Sequence, residues 1–158
     1  IEVHNINMGK YGVPQTRRRI IIFGSKSHDP NRMIPEKEKE KKGMNEVIDT
    51  GDYKYQISVG NCTRQLKGKS QIRSVEEPSY TILTSNRPSI VKEWNPPYTR
   101  MKECNKRILS VDETKKLQTF PDWFSFESVG KTTSNMLIGN AFPSEFARKL
   151  GGEMEKFD

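Results

Sequence analysis

Cysteine and histidine are scarce in this 158-residue chain, which has two of each: Cys62, Cys104, His4 and His28. The cysteines lack a Cys-x-x-Cys spacing and the histidines do not join them in a zinc pattern, so no metal centre is expected. Apolar residues are also few. They make up 32% of the sequence with glycine left out, low even beside the roughly 45–50% of ordinary globular chains that counts glycine, and the mean hydropathy is -0.82. A thin core follows, with long solvated loops or reliance on a partner surface. No apolar run approaches the ~18 residues of a membrane span, and no signal-peptide pattern is present. The chain reads as soluble and intracellular. It begins at Ile1 rather than methionine, as a fragment or a processed chain would.

Positive charge is plentiful. The net charge is +7 with a pI near 9.4, a balance suited to a polyanionic partner. Residues 1–50 carry 10 basic and 7 acidic side chains, residues 51–107 carry 11 and 5, and residues 108–158 carry 6 and 8. The excess therefore lies in the middle of the chain, as a basic face rather than a basic tail.

The stretch YGVPQTRRRIIIFGS, Tyr11–Ser25, sets three arginines against four apolar residues. Ile20–Phe23, β-branched and closed by Gly24, reads as a strand with a covered face, and the alternating IEVHNI segment reads as a strand before it. Strand alternation puts Gln15, Arg17 and Arg19 on one side and Arg18 on the other. Two readings stand at this point: solvated rim charges, or an anion site whose guanidinium groups make paired hydrogen bonds to phosphate or a base edge. Pro35–Gly43, PEKEKEKKG, is expected to be a solvated loop or helix end. YKYQISVG, SYTILTS and SIVKEW are short strand candidates in an irregular, β-rich unit.

The last third is helical. Ser110 and Glu113 form a capping box, which predicts a helix from about Val111 to Thr119, with Leu117 and Phe120 inward and Pro121 ending it. Phe142, Phe146 and Leu150 recur at i, i+4, i+8 and predict a second helix with Gly151 just past its end. Ile138–Ala141, IGNA, reads as a turn before it, bringing backbone close to a ligand or another segment.

Three of these stretches, in order, resemble the C-terminal part of the bacterial cytosine-5 DNA methyltransferases. YGVPQTRRRIIIFG resembles the eighth motif of that family, KRILSVDETKKLQTFPDWF the ninth and NMLIGNAFPSEFARKLG the tenth. One departure is Leu137, where the bacterial enzymes usually carry glutamine. The family's Pro-Cys-Gln motif, Glu-Asn motif and glycine-rich cofactor loop are absent, and neither cysteine follows a proline.

The resemblance implies an α/β fold: the C-terminal portion of a Rossmann-like methyltransferase domain with a small β-rich target-recognition domain. Residues 1–24 and 107–158 would belong to the catalytic domain, and 25–106 to DNA recognition. Arg19 would hold a flipped cytosine with Arg17 in support. Gln15 and Arg17 would hold the target-strand backbone, and Arg64, Lys67, Lys69, Thr81 and Arg87 would complete the DNA contacts. Asn140 and Ala141 would touch S-adenosyl-L-methionine, and Arg107 would organise the recognition region. The implied partners are double-stranded DNA and an N-terminal catalytic segment, or a separate subunit, bearing the missing motifs in a bacterial cytoplasm. A non-catalytic DNA-binding module and an RNA methyltransferase fragment are the alternatives.

Overall fold

In the computed structural model, residues 1–57, 72–84, 88–94 and 106–157 are described. They form a mixed α/β structure with two sheets and three α-helices. Strands β1 (Glu2–Asn7) and β2 (Arg18–Phe23) pair antiparallel, with Ile6 opposite Arg19 and Val3 opposite Ile22. Between them the chain turns through Met8–Lys10 and Gly12, whose φ of +85° favours a residue without a Cβ. Strands β3 (Tyr55–Ile57), β4 (Ile72–Ser74), β5 (Ser89–Val91) and β6 (Lys106–Ile108) form an antiparallel sheet in the order β4-β3-β5-β6.

The pleat of the hairpin sorts its side chains. Ile6 and Phe23 face a core with Met8, Tyr11, Val13 and Met33, against which Phe146 packs. Val3, Ile20 and Ile22 on the other face are 62%, 71% and 67% exposed. Four consecutive apolar residues in β2 thus serve two faces, only one of which the described residues cover.

Helix α1 (Val111–Leu117) begins as the sequence indicates. Ser110 Oγ accepts from Glu113 N–H, and the Glu113 carboxylate accepts from Ser110 N–H. It ends earlier than Pro121 requires. Thr119 N–H donates to Lys116 O and Phe120 N–H to Lys115 O, a Schellman closure with Thr119 at φ +61° where glycine is usual. Leu117 is buried and Phe120 packs against the second core, with Met44, Ile82, Ile90, Leu109 and Ile138.

Three expectations need correction. IGNA is not a free turn: Ile138–Asn140 is the last turn of α2 (Lys131–Asn140). Helix α3 (Ser144–Met154) runs through Gly151 instead of stopping before it. Continuing the helix lets the Glu155–Phe157 turn deliver Phe157 to the hairpin core, where Arg32 lies 5.5 Å from the ring centroid. Residues 79–84, the described part of SYTILTS, are not a strand. Glutamine side chains take the place of a strand partner there: Tyr80 N–H donates to Gln56 Oε1 at 3.2 Å and Ile82 N–H to Gln15 Oε1 at 3.0 Å.

Candidate functional site

The segment leading into β2 is fastened on both sides. Met8 N–H donates to Arg17 O, Thr16 N–H to Ser79 O and Ser79 N–H to Pro14 O, so residues 14–17 run beside Ser79–Ile82. Within this frame Gln15 is fully buried and Arg17 is 3% exposed. Arg17 Nη1 donates to Ile82 O at 3.0 Å and Nη2 to Gly139 O at 2.9 Å. Gln15 Nε2 donates to Gln118 Oε1 at 2.5 Å. Gln118 in turn donates to Ile138 O at 2.9 Å and Ala141 O at 2.6 Å. Two glutamines and an arginine thereby join the entry to β2, the end of α1, the 80–84 segment and the α2–α3 junction.

Gln15 and Arg17, expected on one side with Arg19, are buried where Arg19 is exposed. Strand β2 starts at Arg18, and the two residues expected to hold a DNA backbone are internal struts whose donors go to carbonyl oxygens. The physical reason is the set of buried carbonyls at Ile82 and Gly139, which need donors, as buried polar groups do. Burial is the main cause lowering the Arg17 pKa to about 10, with the Arg19 charge a lesser one; the group stays protonated at neutral pH. Arg19 is exposed on the strand face shared with Ile21 and Phe23, and its Nη1 donates to Arg18 O at 2.7 Å. Arg18 is exposed on the other face.

Gly139 explains how the junction closes. A Cβ there would lie 2.6 Å from Thr84 N and 2.7 Å from the Leu83 carbonyl carbon, so only glycine lets α2 approach the 80–84 segment this closely. Thr81 braces the same segment, its Oγ1 donating to Thr16 O at 2.7 Å. Asn140 is exposed at the end of α2, and Ala141 N–H donates to Leu137 O and Ile138 O. The start of α3 is capped from outside: Glu145 N–H donates to Thr119 Oγ1 at 2.9 Å. Arg107 Nη1 meets both Glu113 carboxylate oxygens at 2.7 and 2.8 Å, while Nη2 donates to Asp49 O at 3.0 Å.

Arg64, Lys67, Lys69, Arg87, Cys62 and Cys104 lie outside the described residues. Among the described residues no group of three or more His, Cys, Asp or Glu side chains could hold a metal ion, and no helix is long and apolar enough to cross a membrane. Sequence reasoning missed Gln118 and Gly139 as site residues. Their signals were a glutamine at the mouth of a capped helix and a glycine inside helical sequence.

Comparison with known proteins gives the class. The family described as C-5 cytosine-specific DNA methylase matches residues 1–156, and the chain belongs to that family. Its relatives include type II methyltransferases. M.BspRI of Lysinibacillus sphaericus is 28% identical over 99% of this chain and 43% of its own length. M.BsuRI of Bacillus subtilis is 31% identical over 92% and 39%, and M.MthTI of Methanothermobacter thermautotrophicus is 24% identical over 99% and 56%. The chain therefore spans about half, or less, of the curated relatives it matches.

Proposed function

We propose that this chain is the C-terminal portion of a cytosine-5 DNA methyltransferase, supplying DNA recognition, the base-facing arginine and one wall of the cofactor site. The observation that carries the reading is the junction itself, where stretches resembling three family motifs are tied together by Gln15, Arg17 and Gln118. A cytosine inside a duplex is unreachable, so the base is extruded, at a cost of a few kcal/mol that protein contacts offset. Arg19 is the donor that meets it. Its guanidinium is exposed beside a fixed scaffold, as a preorganised donor to charge developing on a ring must be. Gln15 and Arg17 act behind it by holding the segment that carries it.

S-adenosylmethionine supplies the methyl group when bound. Asn140 fits its amino-acid end, because an exposed carboxamide both donates and accepts and so matches an ammonium and a carboxylate together. The thiolate that attacks the ring comes from outside this chain, since neither cysteine has the family's proline-cysteine setting. The segment bearing it covers the aliphatic face of β1 and β2. Residues 25–106 read the DNA sequence, with the positive excess of the middle of the chain gripping phosphates. Labelled methyl transfer by the complete enzyme tests the reading, offered duplex DNA and structured RNA side by side. Label on DNA cytosine is expected; label on the RNA alone would overturn it.

A further inference from the structure

We infer that Gln118 is a positioning residue for the cofactor site, an inference that rests on the reading of Asn140 and Ala141 given above. Helix α2 has no side chain of its own on its last carbonyl groups, which need partners from elsewhere: Ala141 N–H serves Leu137 O and Ile138 O, and Arg17 serves Gly139 O. Gln118 adds the bonds that hold the turn beyond them. Its side-chain amide, fully buried, sends one N–H to Ile138 O and the other to Ala141 O, at 2.9 and 2.6 Å, and so spans the Asn140 turn from both sides. Its carbonyl oxygen accepts from Gln15 Nε2 at 2.5 Å, which uses up the amide and fixes which way round it sits. Gln15 Oε1 then accepts from Ile82 N–H at 3.0 Å. The turn that presents Asn140 is thus held by the Gln118 amide together with Arg17 at Gly139 O, and the amide plane is oriented by the segment leading to Arg19. Gln118 touches neither base nor cofactor; it sets where the cofactor's contact residue stands.

This role differs from generic packing in what it affects. Loss of a core contact lowers the amount of folded enzyme. Loss of the turn's fixed geometry weakens cofactor capture by molecules that remain folded. Steady-state kinetics of the complete methyltransferase separate the two. Gln118→Met keeps the volume but removes both donors, leaving Ala141 O without the Gln118 bond and Ile138 O with only the longer one from Ala141 N–H, and should raise the KM for S-adenosylmethionine about tenfold while leaving the KM for DNA within about twofold.

Gln118→Glu adds a readout that packing does not move. Only the protonated carboxyl can donate to Ala141 O, so its cofactor KM relative to wild type should fall as pH is lowered. This variant keeps the inference testable if Gln118→Met folds poorly. Thr114→Val is the control: it removes a part-buried hydrogen bond of α1, from Thr114 Oγ1 to Ser110 O at 2.6 Å, and should lower thermal stability with the cofactor KM unchanged. Equal cofactor KM values for Gln118→Met and Thr114→Val, or a pH-independent Gln118→Glu, would overturn the inference. Asn140→Ala separates it from the reading beneath: an unchanged cofactor KM in that variant removes the cofactor role of the turn and the inference with it. A raised KM in Asn140→Ala with none in Gln118→Met overturns the inference alone.

Discussion

Arg18 and Arg19 are neighbours in sequence and lie on opposite faces of β2, opposite Asn7 and Ile6 of β1. The functional reading attaches to Arg19 only. In the complete enzyme Arg19→Ala should lower the single-turnover methylation rate by roughly two to three powers of ten, as loss of a preorganised donor does elsewhere, with DNA affinity little changed. Arg18→Ala should alter either quantity only slightly, as removal of a surface charge does. Equal losses in the two variants would put the base on neither face. Arg17 has a different expectation. Arg17→Met leaves Ile82 O and Gly139 O without their donors, and a urea unfolding curve should show a loss of about 1–3 kcal/mol for each buried acceptor stranded. The three arginines look alike in sequence. Their burial separates them, because a guanidinium answers whatever carbonyl groups the fold places near it, and those of Ile82 and Gly139 come from 65 and 122 residues away.

Helix α1 shows what was legible at the level of elements. Its start is written locally, in Ser110 and Glu113, and both capping-box bonds form. Its end is not. Thr119 takes a left-handed conformation that a β-branched residue adopts at a cost of about 1–2 kcal/mol, offset by the cap it gives α3 through Glu145 N–H. No window of sequence around Thr119 contains α3. Two substitutions divide the terms: Thr119→Gly removes strain and cap together and should change stability little. Thr119→Val keeps the strain and loses the cap, and should cost about 1 kcal/mol or more by urea unfolding.

Helix α3 carries a pH signature too. The Arg148 hydrogen bond, then the charges of Arg148, Lys149 and Lys42, hold the Glu145 carboxyl below its usual value of 4.5, against the opposing effect of burial. A depressed carboxyl contributes stability above its unfolded pKa and loses it as the pH falls through the folded value. The difference in unfolding midpoint between wild type and Glu145→Gln should therefore be present at neutral pH and shrink below about pH 4.5. The same helix overran its predicted stop at Gly151 because Phe157 has a core to reach. Residues 79–84 are not a strand because two distant glutamines bond their backbone. Both outcomes are tertiary, beyond the reach of a local pattern.

At the scale of the molecule, the low apolar content has a visible counterpart in the exposed aliphatic face of Val3, Ile20 and Ile22. Covering an isoleucine is worth about 1.5–3 kcal/mol. Ile20→Lys should therefore weaken association with the completing segment by about ten- to hundredfold, read by titration calorimetry. Ile20 takes no part in the hairpin core on the other face, so the chain's own fold should survive that change. The proposed function implies a division of labour: the base-facing arginine and the cofactor turn here, the thiolate elsewhere. Transfer of labelled methyl from S-adenosylmethionine to cytosine in duplex DNA, by the purified chain alone and after addition of the segment carrying the family's proline-cysteine motif, tests this division most directly. No transfer by the chain alone and recovery on mixing is the expected result. Turnover by the isolated chain, or a mixture that stays inactive although the two parts bind each other, would contradict it.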